Sequence, residues 1–168
     1  ADPGVSGCLV PALLDHGEQE LAARLVRWLL SVQRADGSFE GPSGGRWGVF
    51  RTGQVLRGFL AGGELVPGAL DAAQRSADYL CAQMVNGGRE GFGRRYGDEI
   101  PESIHLYVLP PLLQAAEVLG KPQYRGAAER CIEYYCQESD ALEIDRLTHF
   151  LGYRIEALID IGRADLAT

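Results

Sequence analysis

The sequence predicts an all-α fold of about seven helices, arranged as αα-hairpins packed side by side. Three observations carry this expectation. Helices with a single apolar stripe alternate with helices that are apolar or small almost all round, so one class lies outside with a wet face and the other is covered by neighbours. The one-sided helices repeat one another. WLLSVQ at Trp28, YLCAQM at Tyr79 and YYCQES at Tyr134 each open on an aromatic, and each follows an alanine pair, at Ala22 and Ala23, Ala72 and Ala73, and Ala127 and Ala128. Connections alternate between short and long, and no stretch shows the period of two that marks a strand.

Taken in order, a first inner helix covers 7–16, within SGCLVPALLDHG, and closes at Gly17. An outer helix over 19–34 turns Leu25, Val26, Leu29, Leu30 and Val32 to one side and Arg24 and Arg27 to the other. Gln33, Asp36, Gly37 and Ser38 end it, and the glycines that follow keep the chain irregular. Thr52 stands where a helix cap belongs. It opens an inner helix over 52–61 that is apolar or small apart from Gln54 and Arg57. Outer helices follow over 69–85 and 123–138, and inner ones over 103–119 and 148–161. Pro110 and Pro111 remove backbone donors, which predicts a kink there or a helix restarted at Pro110. The short links at 16–17, 62–68 and 120–122 fall on one rim. The long ones at 35–51, 86–102 and 139–147 fall on the other.

At 168 residues the chain suits one domain, 1–168, with a core of useful size. Apolar residues make up 46% and charged ones 23%, an ordinary soluble composition. The net charge of −7 argues against nucleic acid and anionic membrane surfaces as partners. No apolar run approaches the roughly 18 residues of a membrane span, and residues 1–7 carry no signal-peptide pattern. Cys8, Cys81, Cys131 and Cys136 lack CxxC or metal spacing, and read as small buried hydrophobes in a reducing, cytoplasmic compartment. No P-loop, dinucleotide fingerprint or nucleophile elbow is present, so no cofactor and no metal is expected.

The segment QRADGSF resembles the Q-x-x-x-G-x-aromatic repeat of α/α-toroid proteins. Together with SGCLVPALLDHG, VFRTGQVLRGFL and LTHFLGYRIEAL, it resembles a bacterial family linked to exopolysaccharide biosynthesis. That family belongs with the six-hairpin toroids, whose relatives include glycoside and uronyl hydrolases and sugar epimerases. The resemblance implies part of an (α/α)6 toroid and a sugar or oligosaccharide as ligand. The chain departs from it in two respects. It offers seven helices where a full ring needs about twelve, and Arg51 stands where the family commonly has an acid. It therefore reads as a partial toroid, a piece of a longer chain or a protomer closed by a homo-oligomer or by the missing half.

On this reading the long-loop rim gathers the chemistry. His149, Asp98, Glu99 and Glu102 are the candidate catalytic residues, a histidine and carboxylates suited to moving protons at a glycosidic oxygen or beside a sugar carbonyl. Trp47, Arg51, Gln54, Tyr96, His105 and Tyr153 are the candidate substrate-binding residues, since aromatic faces cover pyranose C–H faces and polar groups bind hydroxyls. Each has a structural alternative. Trp47 packs the loop, His105 is a satisfied core histidine, and Asp98 and Glu99 are solvated or favour a helix dipole. The function expected is the binding or processing of carbohydrate by a hydrolase, lyase or epimerase. The competing reading is a helical-repeat scaffold that binds a protein through its concave face.

Overall fold

The computed structural model describes residues 1–41, 47–93, 102–137 and 148–166. Its elements are α1 (Pro3–Asp15), α2 (Gln19–Val32), α3 (Gly48–Ala61), α4 (Ala69–Gln83), α5 (Leu109–Val118), α6 (Pro122–Gln137) and α7 (Thr148–Asp160). A 3₁₀ segment, Glu102–Val108, leads directly into α5. Among the described residues there is no strand, so the fold is all-α.

Local chemistry explains where the helices start. Asp2 caps α1: its Oδ1 accepts the backbone N–H groups of Gly4 at 2.8 Å and Val5 at 3.3 Å, and Pro3 occupies the first helical position. The helix therefore begins four residues before the expected start. Thr52 is not the cap of α3, which begins at Gly48. It lies one turn inside, fully buried, and its hydroxyl donates to the Gly48 carbonyl at 2.6 Å while accepting the N–H of Phe39 at 3.2 Å. The third inner helix is divided as the prolines predict, with Pro110 and Pro111 in the first turn of a new α-helix after the 3₁₀ segment.

The helices form two layers. In one, α3 is the hub, packed against α1, the 3₁₀ segment and α5. The other comprises α2, α4 and α6, which lie on α1, α3 and α5 respectively. All three alanine pairs are buried in these outer helices, where small side chains let the layers close up. Two glycines of α3 permit the same closeness on its flanks. A Cβ on Gly58 would sit 2.6 Å from the Gly7 carbonyl oxygen of α1, and one on Gly53 would collide with Val108. Residues of α1, α3, α5 and α7 (Pro11, Arg57, Ala61, Pro110, Gln114 and Asp160 among them) line one open hollow of about 370 Å³.

The connection after α2 is stitched by Gln33. Its side-chain amide donates to the carbonyls of Ala72 (2.9 Å) and Gly37 (3.3 Å) and to the Ser76 hydroxyl (3.0 Å), while Arg75 donates to its oxygen at 2.6 and 3.1 Å. Gly37 has φ +85°, and any Cβ there would run into the Arg75 carbonyl. The motif that resembles a toroid repeat thus works as a fastener between one hairpin and the next. The connection after α4 follows the same plan. Met84 leaves its helix with nearly the same dihedrals as Gln33, and Phe92 is buried as Phe39 is.

Candidate functional site

The candidate site lies on the wall shared by α1, α3, the 3₁₀ segment and α7. It starts at Trp47, which stands immediately before α3. The indole lies parallel to Phe150 of α7 (centroids 6.0 Å apart, planes at 10°) and meets Phe50 edge-on at 6.1 Å. Phe50 continues the chain of rings, 5.6 Å from Tyr107 and 5.3 Å from Tyr153, which are themselves 4.7 Å apart. His149 is exposed at the first turn of α7, its ring 4.0 Å from Phe150 and 6.3 Å from Tyr153.

Beyond the rings lies an ionic cluster. Arg57 of α3 donates to Glu156 at 2.8 Å and to Asp160 at 3.3 Å, both on α7, and its guanidinium carbon sits 5.0 Å from the centre of the Tyr107 ring. The Tyr107 hydroxyl donates to Glu156 Oε1 at 3.4 Å and lies 3.8 Å from Cys8 Sγ of α1. Burial pushes the Tyr107 and Tyr153 hydroxyls and the Cys8 thiol above their ordinary values. All three stay protonated at neutral pH. The wall therefore offers hydrogen bonds, charge and ring faces, and no activated nucleophile among these groups.

Of the sequence-predicted residues, Trp47, His149 and Tyr153 are brought together here. Arg51 and Gln54 are not free for a ligand in the same way. Arg51, nearly buried, donates from Nε to Asp2 Oδ2 at 3.1 Å, and Gln54 is buried against Gly4 of α1. Glu102 is engaged in the structure: one oxygen, Oε1, accepts the N–H groups of Phe92 and Gly93 and the hydroxyl of Tyr135, each at 2.8 Å. His105 is fully buried, its ring 4.9 Å from Phe92. Its Nδ1 faces the Glu102 carbonyl at 2.9 Å, which places a proton on that nitrogen. Tyr96, Asp98 and Glu99 lie outside the described residues.

The sequence reading missed Arg57, Tyr107 and Asp160 as members of the site. A signal existed for Arg57, which stands with Gln54 as an exception in a stretch, 52–61, otherwise apolar or small. Its partners lie about a hundred residues away, a pairing only the tertiary fold reveals. Among the described residues no cluster of three His, Cys, Asp or Glu side chains could hold a metal ion, and no helix is long and apolar enough to cross a membrane. Comparison of the chain with protein-family models, with characterised proteins and with solved structures finds no match.

Proposed function

We propose that this chain is a carbohydrate-binding member of the α/α-toroid group, acting in bacterial polysaccharide metabolism and holding its sugar against the wall just described. The observation that carries this is the position of Tyr153. It is a half-buried ring, with an exposed histidine beside it and, across the Tyr107 ring, the Arg57, Glu156 and Asp160 cluster. A pyranose needs such a combination: an aromatic face for its C–H groups, and charged oxygens and nitrogens for its hydroxyls. The open hollow lined by Arg57 and Asp160 gives the ligand room beside them. If the protein is an enzyme, the acids that would act on a glycosidic bond are to be sought at Asp98 and Glu99, since Glu102 is occupied by backbone donors.

The test is a thermal-shift and titration screen with uronic acids, N-acetylated sugars and oligosaccharides. A saccharide that raises the melting temperature of the native chain, and no longer does so in Tyr153→Ala, supports the reading. A Tyr153→Ala variant that binds every active saccharide as tightly as the parent refutes it, as does a screen without any active saccharide.

A second reading, a scaffold that binds another protein, is favoured by α1, where Val5 is 59% and Leu9 48% exposed one turn apart. Light scattering that shows a closed assembly with these residues protected would favour it.

A further inference from the structure

Among the described residues Arg154 has no counter-charge. It lies on α7, only 7% exposed, and its Nε and Nη1 are shut off from solvent with no hydrogen-bond partner. Ser103 is in the same condition. It is fully buried on the 3₁₀ segment, the element packed against α7, and its hydroxyl is likewise unpartnered. Buried polar groups in folded proteins are nearly always paired, and a buried charge left alone is strongly unfavourable.

The described acids of the two elements are spoken for. Glu156 and Asp160, on the same helix, turn to Arg57. Glu102 holds Phe92, Gly93 and Tyr135. The chemistry of the two groups then narrows what can complete them. A guanidinium only donates and stays charged at any ordinary pH, even where burial lowers its pKa. A serine hydroxyl can also donate. The missing component must accept hydrogen bonds and carry negative charge, which excludes a metal cation and leaves water as half an answer.

We propose that Arg154, assisted by Ser103, is a buried anion site between α7 and the 3₁₀ segment, for the carboxylate or phosphate group of a small ligand. It involves groups other than the Tyr153 ring, and its test does not depend on the saccharide reading. A buried pair is screened little by salt, so its effect saturates with anion concentration instead of following ionic strength.

Thermal unfolding of the native chain in chloride, acetate, phosphate and glucuronate at matched ionic strength tests this. An oxyanion is expected to raise the midpoint by several degrees over chloride and to saturate. Arg154→Met should lose that dependence while keeping its midpoint in chloride. A response to acetate and glucuronate alone identifies a carboxylate, and one to phosphate alone a phosphate. Equal oxyanion responses in the native chain and Arg154→Met, or no difference from chloride in the native chain, would overturn the proposal. Should Arg154→Met fail to fold, the Arg154 Nε–H resonance in the native chain decides. It must shift and saturate on adding the active oxyanion, and a resonance that stays in place is the contrary result.

Discussion

Glu102 Oε1 accepts the backbone N–H of Phe92 at 2.8 Å, just as Thr52 Oγ1 accepts that of Phe39 at 3.2 Å. In both connections the side chain comes from the start of the following inner element, and it fixes a buried phenylalanine of the loop before it. A carboxylate with three donors on one oxygen has a structural task. Replacing Glu102 with Ala should therefore lower stability by about 2–4 kcal/mol, from charged hydrogen bonds lost and a Tyr135 hydroxyl left without an acceptor for its proton. Urea unfolding measures this. A change under about 0.5 kcal/mol would show that the hydrogen bonds contribute nothing net.

Gly37→Ala should destabilise by about 2 kcal/mol or more, because the residue takes φ +85° and its new methyl meets the Arg75 carbonyl. Gln33→Ala should act in the same direction through the lost bonds to Ala72 and Ser76, by about 1–3 kcal/mol. Since both changes undo the same fastener, the double variant should lose less than the sum of the two. Chemical denaturation of the three variants checks it.

Trp47→Ala and His149→Ala should separate. The indole is stacked on Phe150 and edge-on to Phe50, so its loss costs about 2 kcal/mol or more of folding energy. His149 is exposed, and its removal should change stability by less than about 0.5 kcal/mol. Paired melting curves and saccharide titrations distinguish packing from binding at the two positions.

Stability should fall in alkali. Burial raises Cys8, Cys81, Cys131 and Cys136, and moves Cys81 from 9.0 to about 11, with the charge of Asp78 adding to the effect. A raised folded value means that the native chain holds these protons more tightly than the unfolded chain. The stabilisation is therefore fully present below the ordinary thiol value and disappears as pH climbs through 9 towards 11. Urea midpoints should be level near neutrality and decline above pH of about 9. Alkylation of Cys81 at pH 8 should be about a hundredfold slower than that of an ordinary thiol.

The sequence displayed the helices well because their burial is periodic: the alanine pairs fall inside the layers, and of the α2 stripe Val26 and Leu29 are buried, Leu25 and Leu30 partly so, while Val32, at the helix end, is exposed. Starts were harder to read. Trp47 precedes α3 without a side-chain cap, and the hydroxyl that looked like a cap, Thr52, serves a loop instead. The site was legible in part. Trp47 and His149 both lie against Phe150, and His149 reaches Tyr153, so three of the expected residues fall on one cluster of rings. Glu102 and His105 look like chemistry in one dimension and are hydrogen-bonded supports in three. No local spacing distinguishes a free carboxylate from one holding two backbone amides.

The glycines of α3 have a consequence for any ligand. Gly58 against Gly7 and Gly53 against Val108 set how near the neighbouring helices stand on either flank of the hub. The contact of Gly58 with Gly7 thereby bears on the hollow that Pro11 of α1 and Arg57 of α3 both line. A single methyl at Gly58 would push α1 outward and widen the opening beside Arg57, so these two small residues act as a gauge for what size of molecule can enter.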